Sequence, residues 1–485
     1  MNNLQTGKMT NHRWTIVVML FMATTVNYLD RQVLSLTWAD FIAPEFHWTN
    51  SDYGTITGLF SIFYAISMLF AGKFIDWMDT KKGFLWAIAV WSFGAIMHAF
   101  CGLLTAGITA GEWTMNFHGA RQAIGTVGDL SLVISVSVTL FVFARLVLAI
   151  GEAGNFPAAI KATAEYFPKK DRAYATSIFN SGAQIGALLA PLTIPFIAKA
   201  WGWEMAFIVI GALGFIWMGF WVFIYHKPEK SKKVNTLELA YINQDDATDV
   251  TEGRVRAEEN AGKKVSFNKA FKYKQTWSFA VGKFLTDGVW WFLLFWIPAY
   301  LSSVYGLDST QSAPHVFAVY AISMISVFAA GYFPAYFMEK KKLNPYQGRM
   351  RAMLLFAFFP LLILLAQPLG GFSVWLPVII IGIAAAAHQS WSANIFTTVS
   401  DMFPKHAVGT ITGIGGMAGG MGSFFINKSS GVLFDHAANT NMKFLGYEGI
   451  ESGYFIIFIF CAVAYLLGWA IMKSLVPKYQ LITDM

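Results

Sequence analysis

Charge is what this chain has least of. Of its 485 residues only 13% are Asp, Glu, Lys or Arg, against 56% hydrophobic, and the mean hydropathy is +0.50. Soluble domains carry about 25% charged residues, so a water-soluble globular protein is excluded and an integral membrane protein is expected. Cysteine is nearly absent. Cys101 and Cys461 are the only two, both in or beside apolar runs. They supply no metal-ligand spacing, and nothing in the sequence argues for a bridge between them. There is no Walker-type phosphate loop, so ATP hydrolysis is not expected. Segments of about ten residues with alternating polarity, the mark of a membrane β-barrel, are missing too.

Long apolar runs fill the chain instead. Windows of about 20 residues, the length that crosses a bilayer as a helix, occur twelve times: 14–38, 53–76, 83–105, 132–160, 173–199, 203–226, 277–303, 311–338, 349–368, 374–402, 407–430 and 451–475. Several exceed that minimum, which implies tilt or helix extending beyond the hydrocarbon. The expected fold is an all-α membrane protein of twelve transmembrane helices. The net charge is +7, and its distribution is informative. With the N-terminus inside, cytoplasmic segments hold 28 of the 35 Lys and Arg, the outer loops four and the spans three. This is the positive-inside bias, with both termini cytoplasmic. The basic excess is therefore topology, not a nucleic-acid surface. No cleavable leader is expected, because the first run is too long and contains Asp30-Arg31.

The runs fall into two sets of six: an N-terminal bundle over 1–226, a polar cytoplasmic linker over 227–276 and a C-terminal bundle over 277–485. Leu237 to Ile242 reads as a short amphipathic helix, and Asp245 to Lys264 as flexible linker. An outer loop at 105–130, rich in Gly and Ala, has no functional reading. An internal repeat supports two parallel halves. Glu165-Tyr-Phe167-Pro168-Lys169 follows span 4, and Asp401-Met-Phe403-Pro404-Lys405 follows span 10. Each precedes a Gly-rich helix start, Ser181-Gly182-Ala-Gln184-Ile-Gly186 and Gly415-Gly416-Met-Ala-Gly419-Gly420. Transporters built from two such halves place substrate midway between them.

Charges inside the spans are the strongest functional signal. A charged side chain at the bilayer centre costs about 2.5–3.5 kcal/mol on insertion scales, yet Asp30, Arg31, Arg145 and Glu152 all lie in apolar runs. Counting 1.5 Å per residue from the expected span ends puts Asp30, Arg31 and Arg145 in one layer, with Glu152 two turns nearer the cytoplasm. Arg31 reads either as a carboxylate receptor, through its planar fork, or as half of a structural ion pair. Asp30 and Glu152 read as proton carriers, because burial and a nearby Arg pull a carboxyl's ionisation in opposite directions. A fixed ion pair is the other reading of Glu152. Arg145 is a latch for Asp30 or Glu152, a second substrate contact, or structural. Tyr28 and Tyr64 offer hydroxyls to sugar oxygens. In the second half, His388, Gln389, Ser392 and Asn394 set hydrogen-bonding groups near mid-depth, His388 being either ligand, proton relay or partner of a neighbouring backbone. Trp290 and Trp291 offer an apolar wall. Lys283 and Asp287 can pair, although Lys283 near the inner end is expected to snorkel. Between spans 2 and 3, Gly72 allows close helix approach and Asp76 can cap a helix or pair with a basic residue.

The segment from Gly72 to Asp76 followed by Lys81-Lys82-Gly83 resembles the loop signature of the major facilitator superfamily, with Trp77 standing where that pattern has Arg. Tyr28-Leu29-Asp30-Arg31, with Arg145 and Glu152, resembles its anion:cation symporter branch. Phe284-Leu-Thr-Asp287-Gly-Val-Trp290-Trp291, with His388-Gln389-Ser-Trp391-Ser392-Ala-Asn394, is similar to bacterial hexuronate transporters. The likeness covers nearly the whole chain. It implies a proton-coupled symporter for galacturonate or glucuronate in a bacterial inner membrane. It assigns anion binding to Arg31 and coupling to Glu152, matches Tyr64 to a branch tyrosine, and gives Gly72 and Asp76 a gating role. No cofactor is expected, and the chain is expected to act as a monomer in lipid. Rival readings are another small organic anion such as an aldonate or an aromatic acid, sodium coupling, and a transporter-like nutrient sensor. An intramembrane enzyme is disfavoured, since the spans hold no nucleophile–base pair or metal spacing.

Overall fold

A computed structural model describes residues 8–244 and 266–482; the expected flexible stretch Asp245 to Lys264 lies outside them. Twelve long helical spans follow one another among the described residues. Spans 1 to 3 are His12–Thr37, Asn50–Met78 and Thr80–Ala110; span 4 is Leu130–Glu152 continued by Asn155–Tyr166; spans 5 and 6 are Lys169–Trp201 and Trp203–Ile224. Span 7 is Lys274–Tyr305; span 8 is Ser309–Ser323 with Ser326–Lys341; span 9 begins as Pro345–Phe358; spans 10 to 12 are Trp375–Met402, Lys405–Thr440 and Ile450–Leu475. Ten are long and apolar enough to cross a membrane. Spans 1 and 11 are outside that set, the first diluted by Asn27, Asp30 and Arg31, the other by its glycines.

Proline accounts for two interruptions. Pro157 has no N–H and its ring crowds the carbonyl of Ala153, so span 4 breaks at Ala153–Gly154 and resumes at Asn155. Pro360 likewise opens a 3₁₀ stretch, Phe359–Leu365, in span 9. The internal repeat is visible in the backbone. Phe167-Pro168 before span 5 (φ/ψ −128/134 and −62/156) and Phe403-Pro404 before span 11 (−112/149 and −63/148) make the same turn. Glycines in the first Gly-rich start and just after the second bring helix backbones together. Gly182 and Gly186 let span 5 meet the backbone of span 1 at Phe21 and Thr25, and Gly422 lets span 11 meet span 7 at Phe284. A methyl at any of these three would overlap a carbonyl oxygen.

The ends of the described chain, near Lys8 and Ile482, lie on one side of the bundle, called here the terminal side. There the linker helix Thr236–Ile242 forms as expected, and its buried Glu238 accepts from the backbone N–H of His12 and Arg13, each at 3.0 Å. Span 1 has no side-chain cap of its own, so the linker supplies it. On the far side, the 105–130 loop carries a short helix, Phe117–Gly125. Its Arg121 reaches Glu45 after span 1 (3.1 Å) and Glu204 at the start of span 6 (2.6 Å). Burial and the neighbouring Glu204 push the Glu45 carboxyl up to about 7, against the Trp203 indole bond and Arg121.

The two halves are bonded together on the far side. Asp435 of span 11 accepts from the N–H of Asn50 (2.9 Å) and Ser51 (2.7 Å) at the start of span 2. Asp40 accepts from the N–H of Ser309 at the start of span 8, Lys199 lies 3.8 Å from Asp308, and Lys428 donates to Ser51 and Thr55. Anionic groups sit on helix N-termini here, where the dipole favours them. Beyond Ser61–Ser423 (2.7 Å) towards the terminal side, the described residues show no further side-chain hydrogen bond between halves. The far-side part of span 8 packs against span 5, whereas its terminal part packs on spans 9 and 10. This conformation is sealed on the far side. Losing an N-cap costs about 0.5–2 kcal/mol, so Asp435→Ala should shift the balance towards a far-side-open form about 2- to 30-fold. The labelling rate of an Ile56→Cys reporter, with Cys101 and Cys461 removed, reads this; an unchanged rate means the carboxylate is no latch.

Candidate functional site

Four charged side chains meet at mid-depth in the N-terminal half, all nearly inaccessible: Asp30 1%, Arg31 3%, Arg145 1% and Glu152 0%. Arg31 donates from Nε (3.0 Å) and Nη2 (2.6 Å) to a single oxygen, Oε2 of Glu152. The layer count had separated these two by two turns. The difference is physical. Span 4 ends at Tyr166 rather than 160, which leaves Glu152 five residues nearer the terminal side than Arg31. That is about 7.5 Å at 1.5 Å per residue, a gap that two extended side chains bridge.

Around the guanidinium stands an aromatic cage. The Arg31 carbon lies 4.7 Å from the Tyr64 ring, 4.9 Å from Tyr28, 5.1 Å from Trp291 and 5.9 Å from Phe60. Cation–π contacts strengthen when desolvated, so the cage holds the charge without competing for its N–H groups. Among the described residues Arg145 has no side-chain hydrogen-bond partner, and the group set against the Asp30 carboxylate is the Trp91 indole. Arg145 lies over Phe60 at 5.1 Å, and both its charge and that of Glu152 act on Asp30. The expected Asp30–Arg145 contact is therefore electrostatic and not a bond. Buried charges are expensive, and here they offset one another at close range.

The opposite wall comes from spans 7 and 10. His388 bonds the Tyr465 hydroxyl through Nδ1 at 2.8 Å and stacks on Trp290 at 5.1 Å. Trp290 is thus committed to His388, and it is Trp291 that walls Arg31. Gln389 and Ser392 are half-buried. Asn394 donates to the Ala330 carbonyl of span 8 (3.0 Å) and to Ser390 (2.9 Å), tying helices together. Gly72 has open space around it, and the close approach falls at Gly83, which meets Ile75 of span 2. Asp76, largely exposed, pairs with Lys161 at 3.0 Å. Lys283 does not snorkel; it is buried and bonded to Asp287 at 2.6 Å.

Three neighbours of the site are not apparent from composition. Asn27 is fully buried with its amide unpartnered; its position four before Arg31 on the same helix face was the available signal. Tyr53 stacks on Trp38 at 4.0 Å, edges Trp296 at 5.0 Å and donates to the Phe295 carbonyl, capping the site towards the far side. Asn427 accepts from the Trp296 indole at 2.9 Å. The roles of Tyr53 and Asn427 come from interhelical contacts alone.

Comparison with known proteins identifies what the chain resembles. Residues 20–426 match the Major Facilitator Superfamily. The chain is 27% identical over 426 residues to a protein of Escherichia coli strain K12 named hexuronate transporter, covering 87% of this chain and 88% of that one. It is 28% identical over 335 residues to the galacturonate transporter of Dickeya chrysanthemi, covering 68% and 84%. It is 24% identical over 455 residues to a probable galactarate/D-glucarate transporter of Escherichia coli, covering 92% and 94%. Among solved structures, the fold is similar to a bacterial homologue of the lysosomal transporter Spinster (TM-score 0.67, 17% identity, 98% and 99% coverage) and to a D-xylose–proton symporter (0.64, 16%, 97% and 99%).

Proposed function

The chain belongs to the Major Facilitator Superfamily, and on that premise we propose that it imports a hexuronate, galacturonate or glucuronate, together with protons by alternating access. It is a transporter, not an enzyme. In this reading the terminal side is the cytoplasm, and the conformation described is closed to the outside. One observation carries the proposal: Arg31 is held by Glu152 through two hydrogen bonds to one oxygen. Two carboxylates, one fixed and one travelling, compete for a single guanidinium. Protonation of Glu152 on the outside removes its charge and frees Arg31 for the sugar acid. Loss of that proton on the inside returns Glu152 to Arg31 and expels the anion. Proton and substrate thus move together, because each is needed to undo the other's bond.

Asp30, buried beside the Trp91 indole, is the second proton position. Tyr28 and Tyr64 face the pyranose from the Arg31 side, and Gln389, Ser392 and the His388–Trp290 stack face its hydroxyls. A second reading has support in Arg145, whose three nitrogens are all unbonded. An aldarate dianion would place its other carboxylate there, as the galactarate/D-glucarate relative suggests. Uptake into proteoliposomes distinguishes these. Labelled galacturonate, glucuronate, galactarate and the neutral sugar galactose are offered under an imposed pH gradient and, separately, a sodium gradient. The expected result is uphill uptake of the monoacids with the pH gradient alone. Sodium-driven uptake, or indifference to the carboxylate, overturns the proposal.

A further inference from the structure

Span 7 carries a second intramembrane ion pair, which the scheme above leaves unused. Lys283 Nζ lies 2.6 Å from Asp287 Oδ2, with side chains 4% and 15% exposed. Taking two charges out of water costs several kcal/mol per ion, and a pair within one helix needs no such depth for its own sake. Its surroundings say where it faces. The Lys283 ammonium lies 4.1 Å from the Phe396 ring of span 10, and the Asp287 carboxylate lies against Gly419 of span 11, where a methyl would overlap it. The pair therefore occupies the face of span 7 between spans 10 and 11. One turn farther from the terminal side, Trp291 meets Arg31. Spans 7 and 10 run antiparallel, with Trp290 against His388 and Lys283 against Phe396, so half-buried Ser392 is level with Asp287. The order towards the terminal side is Arg31 with Trp291, then Asp287 with Ser392, then Lys283 with Phe396.

Lys283 is nine residues into span 7 and Arg31 nineteen into span 1. The ten-residue difference is about 15 Å along the bundle, too far for both to hold one carboxylate at once. We propose that Lys283 is a second carboxylate station on the cytoplasmic way out, kept neutral by Asp287 until the departing sugar acid displaces it. This rests on the reading of Arg31 as receptor. It repeats in the C-terminal half the competition proposed for the other: a cation held by a protein carboxylate that the substrate's carboxylate must replace. Asp287 prevents the ammonium from holding the anion too tightly, and Lys283 prevents Asp287 from repelling it.

The test uses the full chain in proteoliposomes and measures KM and maximal rate for labelled galacturonate presented on the cytoplasmic face. Asp287→Asn leaves Lys283 unopposed, so KM should fall about tenfold and the maximal rate with it, because release becomes slow. Lys283→Gln leaves a bare carboxylate, so KM should rise about tenfold. Lys283→Gln with Asp287→Asn should recover rate but keep the raised KM. The conservative Lys283→Arg, which preserves the pair, should stay near wild type and stands in if a single variant does not fold, its loss of transport then counting against the station. Both singles moving KM the same way, or lowering thermal stability with KM unchanged while the double variant restores everything, makes the pair structural and overturns the inference. Wild type that moves galactose as well as galacturonate overturns the substrate reading and this one with it; selective wild-type uptake with uniform variant effects overturns only the station.

Discussion

Arg31→Lys should abolish most transport while leaving the protein folded. Lysine keeps the charge but presents one compact ammonium in place of a planar fork, and it is more strongly hydrated and more easily deprotonated in a buried site. Arg31 makes two bonds to Glu152 Oε2, and a substrate carboxylate would take the same two donors. A hydrogen bond to a charged group is worth about 1.5–3 kcal/mol, so losing one should reduce uptake about 10- to 150-fold. The cage of Tyr28, Tyr64 and Trp291 is built around a flat group and gives a flexible ammonium no equivalent seat. Initial uptake of labelled galacturonate, with thermal melting as a folding control, decides it. Normal uptake by the Lys variant removes Arg31 as receptor.

Glu152→Gln should separate movement from accumulation. Glutamine has the same size and still accepts a hydrogen bond from Arg31, but it cannot ionise. Arg31 is then never neutralised, and the anion binds whatever the proton supply. Exchange of labelled for unlabelled galacturonate should survive and lose its pH dependence. Accumulation should vanish. A one-unit pH gradient supplies about 1.36 kcal/mol per proton, enough for about tenfold accumulation by wild type, against none by the variant. A Glu152→Gln protein that still concentrates substrate against its gradient would falsify the coupling role. Asp30→Asn in the same assay tells whether Asp30 is a second proton position: exchange without full accumulation is expected, and wild-type accumulation argues against it.

These expectations also show which parts of the site could be read from residue order. Asp30 and Arg31 stood out because charge inside an apolar run is costly whatever surrounds it. The repeat at Phe167-Pro168 and Phe403-Pro404 was legible because proline restricts the backbone locally, and the two turns indeed share one geometry. The direct bond from Arg31 to Glu152 was not legible. It depends on where span 4 ends and on how far two long side chains reach, and a depth count includes neither. The split between Trp291 at Arg31 and Trp290 on His388 has the same origin: adjacent helix positions differ by about 100°, so one residue of register decides which indole faces the partner half. Lys283 looked like a snorkelling residue when judged by its distance from the helix end. Its neighbours Asp287 and Phe396 hold it inside.

Composition and hydropathy settle questions that turn on transfer from water to lipid: that the chain crosses a membrane many times, that its helices come in two like sets, and that a few charges sit inside apolar runs. Those energies belong to single residues and short windows, so a linear string contains them. Partner choice belongs to pairs of residues far apart in the chain. Which carboxylate holds Arg31, which aromatic rings enclose it, and which face is sealed by Asp435 and Asp40 were decided only when two six-helix halves packed together, because ångström-scale distances between helices control hydrogen bonds and no residue order encodes them.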